Sequence, residues 1–158
     1  MEKESFDLLL ESLGLLAEAE RAVGGLYEAW AQRWAPDAEF WKQTAQEEER
    51  HAQTMESLRA MLQARPGAFA PGRLLHPTAI KTFIKGVKWQ QDRVGRGEIP
   101  ASNFWFVARD IETALIESRF MEIMKTEDPE CHELLGRVQA DTARHLGSIN
   151  ERLAQLKK

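Results

Sequence analysis

The chain has 158 residues, of which 43% are hydrophobic and 29% charged, which predicts one globular domain over residues 1–158 with a substantial buried core. Its net charge of −4 argues against nucleic-acid binding, because such proteins concentrate basic residues on one face. No apolar run approaches a membrane span, the start MEKESFDLLL is too acidic for a signal peptide, and Cys131 is the only cysteine, so we expect a cytoplasmic protein without disulfides or Cys-x-x-Cys motifs.

Helical periodicity runs through nearly the whole chain, and no segment shows convincing strand alternation. The first predicted helix covers residues 5–34 and the second covers residues 37–64, with Asp37 as a cap for the second. Each carries a core-facing stripe that advances by alternating steps of four and three residues. The first stripe is Leu9, Leu13, Leu16, Glu20, Val23, Tyr27, Trp30 and Trp34, and the second is Trp41, Thr44, Glu48, His51, Met55, Leu58 and Leu62.

A long connection follows, which opens with the Pro/Gly-rich loop ARPGAFAPG. Inside it, Ile80, Phe83, Ile84 and Val87 predict a shorter amphipathic helix. The lysines on the other face of that helix fit a solvated surface or, alternatively, a docking patch for an acidic partner protein.

Two more long helices are predicted at residues 102–126 and 129–157, the second opening with the cap-then-proline sequence EDPE. Their stripes are Trp105, Ala108, Glu112, Ile116, Phe120 and Ile123, and then Leu135, Val138, Thr142, His145, Ile149, Arg152 and Leu156. The predicted fold is therefore all-α: an up-down four-helix bundle with one long crossover, which contains a short helix between helices 2 and 3.

Each long helix places ionisable residues near the middle of its apolar stripe: Glu20, Glu48 with His51, Glu112, and His145. Antiparallel neighbours would bring these side chains to one level of the bundle. Buried carboxylates cost several kcal/mol each unless cations or hydrogen bonds compensate them, and a metal ion does so directly. The Glu-x-x-His spacing lets two ligands on one helix face reach the same ion. Carboxylate and imidazole ligands favour iron or manganese.

Several residues carry alternative interpretations. Glu117 competes with Glu112, because its own stripe is also apolar, and His145 taken alone fits a hydrogen-bonded core histidine. Tyr27 and the five tryptophans are typical of core packing, with a redox relay as the alternative. Gly24 and Gly25 lower helix propensity, which indicates a close helix approach or a local bulge beside the site.

Four segments, EAERAVGGLY, EEERH, DIETALIESRF and ADTARHLGSI, together resemble the rubrerythrin branch of the ferritin-like di-iron carboxylate proteins over most of the chain. The resemblance implies a ferritin-like bundle with iron as the cofactor. It also implies a role for each matched residue: metal ligand for Glu20, bridging ligand for Glu48 and Glu112, terminal ligand for His51, second histidine ligand for His145, and a nearby tyrosine at Tyr27.

The chain departs from the family pattern at three places. Thr142 stands where the second Glu-x-x-His has glutamate, and Asp141, about 100° around the helix, is a strained substitute ligand. Three carboxylates then face two divalent cations instead of four, so either one ion binds or two bind with an extra anion. Arg119 and Phe120 replace a tyrosine that the family often has. The cysteines of a rubredoxin-like domain are missing, so an external protein is expected to donate electrons.

Three classes of function follow from this sequence. The first is a di-metal oxidoreductase that reduces peroxide or dioxygen. The second is a storage, sensing or structural module that holds one iron, manganese or zinc ion, and the third is a helical interaction protein with a vestigial site. Thr142 favours the second class over the first, whereas the retained ligands argue against the third. Exposed aromatic residues suggest a homodimer.

Overall fold

The computed structural model describes residues 1–73, 76–117 and 122–157, except for the side chains of residues 116 and 117. Within these ranges the chain is mostly helical, as predicted, with one small sheet. The α-helices are α1 (Lys3–Arg33), α2 (Ala38–Ala64), α3 (Pro77–Gly95), α4 (Ala101–Glu117) and α5 (Pro129–Leu156), and the strands are β1 (Phe69–Pro71) and β2 (Met124–Thr126). Single-turn 3-10 helices at Ala35–Asp37 and Pro66–Ala68 precede α2 and β1.

The helices pack in two pairs, with α3 added to one of them. α1 lies along α2 and also contacts α3, whereas α4 lies along α5, and α2 meets α5 over a shorter stretch. The predicted short helix in the crossover is therefore confirmed as α3. None of the helices in the described ranges has the length and apolar character needed to cross a membrane.

The predicted stripes form most of the core, but Trp34 and Leu156, at the ends of α1 and α5, are exposed, and Leu135 and Arg152 are only partly buried. Every residue of the second stripe is buried, and so is the first stripe up to Trp30. Trp34 is 42% exposed, because α1 ends at Arg33 and the backbone of Trp34 turns to an extended conformation. The helical spacing that placed Trp34 on the buried face no longer holds once the helix has ended.

The two aspartates predicted or available as helix caps behave differently. Asp128 accepts hydrogen bonds from the backbone N–H groups of Glu130 and Cys131 at 3.0 and 3.2 Å, which confirms the cap-then-proline start of α5. Asp37 occupies the N-cap position of α2, but its side chain makes no capping bond. It accepts instead from Arg152 of α5 at 3.3 Å, so it ties two helices together.

The expectation of a strand-free chain and of a helix over 102–126 was wrong. α4 is described to Glu117, and residues 124–126 form β2, which pairs antiparallel with β1. Gly72 extends the pairing by donating to the carbonyl of Ile123 at 2.8 Å. A Cβ at Gly72 would lie 2.1 Å from the Glu122 carbonyl oxygen, so the chains meet only because this residue is glycine. Ile123 and Met124 are buried, as a helix would also have made them.

Gly24 permits the close approach of α1 to α2 beside the predicted site. A Cβ at this position would lie 3.3 Å from both the carbonyl oxygen of Ala45 and the Cβ of Glu48. We therefore predict that Gly24→Ala lowers the free energy of unfolding, because overpacking of about 1–3 kcal/mol exceeds the gain in helix propensity of about 1 kcal/mol.

Gly136 of α5 is the matched control, since a Cβ there would meet nothing within 4 Å. Gly136→Ala should stabilise the fold by about 1 kcal/mol in urea unfolding. Equal stabilisation by both variants would mean that α2 does not constrain Gly24.

Candidate metal centre

The predicted ligands come together from four helices. Glu20 of α1, Glu48 and His51 of α2, Glu112 of α4 and His145 of α5 are each between 0% and 3% exposed. They form two groups, Glu20 with Glu48 and His51, and Glu48 with Glu112 and His145. In each group, one ligand atom from every residue lies within 4.8 Å of the others, so each group could hold a metal ion.

Glu48 belongs to both groups and turns one oxygen toward each histidine. Its Oε2 is 3.0 Å from Nδ1 of His51, and its Oε1 is 3.1 Å from Nδ1 of His145. A carboxylate placed in this way could bridge two ions. Glu112 Oε1 lies 3.7 Å from the same nitrogen of His145 and belongs to the second group alone. The resemblance predicted Glu112 as a bridge as well.

Several atoms at this point have no hydrogen-bond partner among the described residues: Glu20 Oε2, Glu48 Oε1, Glu112 Oε2 and His145 Nδ1. Buried polar atoms are normally bonded, so such a group needs an explanation. Glu48 Oε1 and His145 Nδ1 are close, yet their directions do not make a hydrogen bond. Cations held by the two ligand groups would give these atoms partners. The donor set therefore fits a bound metal.

A second layer of charges fixes the outer nitrogen of each imidazole. Nε2 of His51 lies 3.2 Å from Asp141 of α5, and Nε2 of His145 makes a short contact with Glu47 of α2. Arg144 donates to both carboxylates at 2.8 Å. Carboxylates in this position set the tautomer and orientation of a metal-binding histidine, which leaves Nδ1 facing the centre.

Asp141 was predicted as a substitute ligand, but the structure places it behind His51, outside both ligand groups. Glu47 was missed by the sequence analysis. A signal was present, since an acidic residue stands four positions before each histidine, Glu47 before His51 and Asp141 before His145. Each of these acids reaches the histidine of the other helix, so the two pairs cross between α2 and α5.

The remaining predicted residues are placed as follows. Tyr27 is fully buried and donates a hydrogen bond to Glu112 Oε1 at 2.6 Å, so it lies beside the centre, as the resemblance implied. Thr142 is buried on the same face of α5 as His145, and its hydroxyl donates to the carbonyl of Val138 at 3.0 Å. The side chain of Glu117, the competitor of Glu112, and the Arg119-Phe120 pair lie outside the described residues.

Protons compensate the buried charges while no metal is bound. Burial, followed by the charge of Glu48, raises the pKa of Glu20 well above its usual range. Burial also raises the pKa of Glu112. For His145, burial alone would lower the pKa, but the adjacent carboxylates of Glu112 and Glu48 outweigh it and raise the pKa to about 11. Metal binding would therefore displace protons from this site.

The raised pKa of His145 predicts how the stability of the metal-free protein depends on pH. A histidine whose pKa rises from 6.5 to about 11 on folding stabilises the fold fully below pH 6.5, and this contribution is lost as the pH rises toward 11. We expect the free energy of unfolding to fall from pH 6.5 upward. His145→Gln should flatten this fall in urea titrations with chelator present, whereas His132→Gln, on the exposed face of α5, should leave the slope unchanged.

Comparison with known proteins gives no family for this chain. No protein-family model matches it, and neither does any curated protein or solved structure. The case for a metal centre rests on the geometry of the described residues.

Proposed function

We propose that the chain is a non-haem di-metal carboxylate protein, with iron as its metal, that reduces peroxide or dioxygen with electrons from an external donor protein. The observation that carries the proposal is the pair of buried ligand groups that share Glu48. Two ligand sets joined by one carboxylate are what a pair of bridged ions requires.

The chemistry of the donor atoms supports the choice of metal. The ligand groups contain carboxylate and imidazole but no thiolate, a combination that suits iron or manganese and is also compatible with zinc. The pairing of each imidazole with an outer carboxylate is typical of metal-ligating histidines. Iron is preferred because the resemblance to rubrerythrins points to it.

A ferritin-like architecture is part of the same proposal. Four of the described helices each contribute a ligand at one level, and a Glu-x-x-His pair lies on one of them, as in the di-iron carboxylate bundles. The presence of α3 in the crossover agrees with one long connection between the halves of such a bundle. The electron donor and a homodimer remain proposals that follow from the sequence.

The residues of the site would have different roles. When bound, iron would supply the reversible one-electron chemistry that peroxide reduction needs. Glu20, Glu48 and Glu112 would hold it and neutralise its charge, and their burial keeps bulk water away. Tyr27 carries a proton on its hydroxyl beside Glu112 Oε1, and burial raises its pKa, so that the hydroxyl stays a donor.

Thr142 favours a second candidate function, a metal-binding module without efficient turnover. Three inner carboxylates balance three of the four charges on two divalent cations, and the hydroxyl of Thr142 is already bonded to its own helix. A site with this deficit would hold its metal without the electron-rich surroundings that favour oxidised iron. The two candidates differ in metal stoichiometry and in turnover.

Replacing Glu48 tests the shared ligand. Glu48→Gln removes the charge but keeps the shape, and we predict that metal content after purification without chelator falls to near zero, because both groups lose their common carboxylate. Glu49→Gln is the matched control, since Glu49 is exposed and pairs with Arg21 at 3.1 Å. Elemental analysis gives the readout. Full metal content in Glu48→Gln would refute the assigned ligand set.

Replacing Thr142 separates enzyme from binder. Thr142→Glu restores a second Glu-x-x-His on α5 and brings four carboxylates against two divalent cations. We predict that iron content rises toward two per chain and that peroxide turnover with an artificial electron donor increases. Thr142→Gln controls for side-chain size without the charge. If wild type already holds two irons tightly and turns over as fast as Thr142→Glu, the charge deficit does not limit the site.

A further inference from the structure

We propose that Tyr27, Trp41 and Trp105 form a one-electron relay between the metal centre and the protein surface at Arg152. The relay gives the external electron donor of the proposed function a defined point of entry. Its physiological use rests on that proposed function, but its capacity to carry an electron belongs to the aromatic side chains and can be measured without metal.

The rings make a continuous path that starts at a ligand. The hydroxyl of Tyr27 contacts Glu112 at 2.6 Å. The ring of Tyr27 lies 5.3 Å from that of Trp41, centroid to centroid, and Trp41 lies 4.5 Å from Trp105. Rings at these separations are in van der Waals contact, so an electron crosses no gap between them.

The far end of the path comes close to solvent. Trp105 is 5% exposed, and the guanidinium of Arg152 lies 5.8 Å from its ring centre. The side chain of Arg152 is 41% exposed, and Asp37 holds it at 3.3 Å. A reductant that docks over Arg152 is therefore separated from Trp105 by one partly exposed side chain.

The surroundings of Trp41 suit a reversible carrier. Trp41 is fully buried, and its indole Nε1 has no hydrogen-bond partner among the described residues. An indole that has lost one electron becomes strongly acidic, but here no neighbouring acceptor can take its proton. The radical cation keeps that proton and can be reduced again by a single electron. Nε1 of Trp30 is equally buried and unpartnered, so the feature that distinguishes Trp41 is its ring contact with Trp105.

Trp30 provides an internal comparison, because it belongs to the same aromatic cluster but lies off the proposed path. Its ring lies 5.4 Å from Tyr27, 4.9 Å from Trp41 and 5.0 Å from Phe104, which is buried. In the part of the chain that the structure describes, no ring contact joins Trp30 to Trp105. If the rings served only for packing, Trp30 and Trp41 would be equivalent.

The electron balance is simple. An oxidised centre would take one electron from Tyr27, and this electron would be replaced in turn from Trp41, from Trp105 and finally from the external one-electron donor. When the ring of Tyr27 is the electron-deficient member, its phenol proton moves to Glu112 Oε1 along their hydrogen bond and returns with the next electron. Two passages deliver the two electrons that, with two protons, convert one hydrogen peroxide molecule to two waters.

The test uses the full chain without metal. Arg152→Cys places a thiol at the proposed entry point, where a ruthenium photosensitiser can be attached, since the native Cys131 is buried and escapes labelling. A flash in the presence of an oxidative quencher produces a ruthenium oxidant beside Trp105. Because the chain contains one tyrosine, any tyrosyl radical seen by transient absorption or electron paramagnetic resonance is that of Tyr27.

In the labelled protein we expect a tyrosyl radical that forms after the flash. Trp41→Phe should abolish most of that signal, since phenylalanine keeps an aromatic ring at this position but is too hard to oxidise, and Trp105→Phe breaks the path at a second place. Trp30→Phe should leave the signal unchanged. Urea unfolding of each variant identifies any that fails to fold, and either of the two path variants suffices alone.

Three results would overturn the relay: no tyrosyl radical in the parent, an undiminished signal in the path variants, or an equal loss in Trp30→Phe. None of them depends on bound metal. A relay found in a protein that binds no iron would refute the proposed function instead, so the two failures are distinguishable.

Discussion

The charge of Glu48 is the constraint on which the rest of the site depends. A fully buried carboxylate is stable only when cations surround it, and Glu48 has an imidazole at 3.0 Å and another at 3.1 Å. Burial alone would raise its pKa, but His145 and His51 outweigh this and lower it. Gly24 lets α1 approach α2 so closely that a Cβ there would lie 3.3 Å from the Cβ of Glu48, and this close approach contributes to the burial of Glu48. The burial of Glu48 therefore depends on its pairing with the two imidazoles.

The same polar centre joins the two halves of the molecule. α1 lies along α2 and α4 along α5, but α2 meets α5 over a much shorter stretch. Across that stretch run the crossed pairs of His51 with Asp141 and of His145 with Glu47, tied by Arg144. A metal held by ligands of both halves would stabilise their association, since any ion that binds only the folded state shifts the folding equilibrium.

The sequence predicted the features of the fold that follow from helical periodicity. Most residues on a helical stripe were buried within their helices, so the level at which Glu20, Glu112 and His145 meet could be read from their spacing. Trp34 and Leu156 show the limit, because both stand at a helix end, where that spacing no longer determines burial. The role of Glu47 depended on the rotation of α2 relative to α5, which no local pattern contains. Asp141 was predicted as a substitute ligand in place of Thr142, and its contact with His51 depended on the same rotation.

The arrangement of the inner carboxylates changes the meaning of Thr142. Each ligand group has one histidine, one carboxylate of its own and a share of Glu48, so the two groups are equivalent in composition. Neither ligand group lacks a type of ligand that the other group has. What a glutamate at position 142 would have added is negative charge common to both groups. The deficit is therefore shared, and an added anion that balanced both groups would have to lie between them.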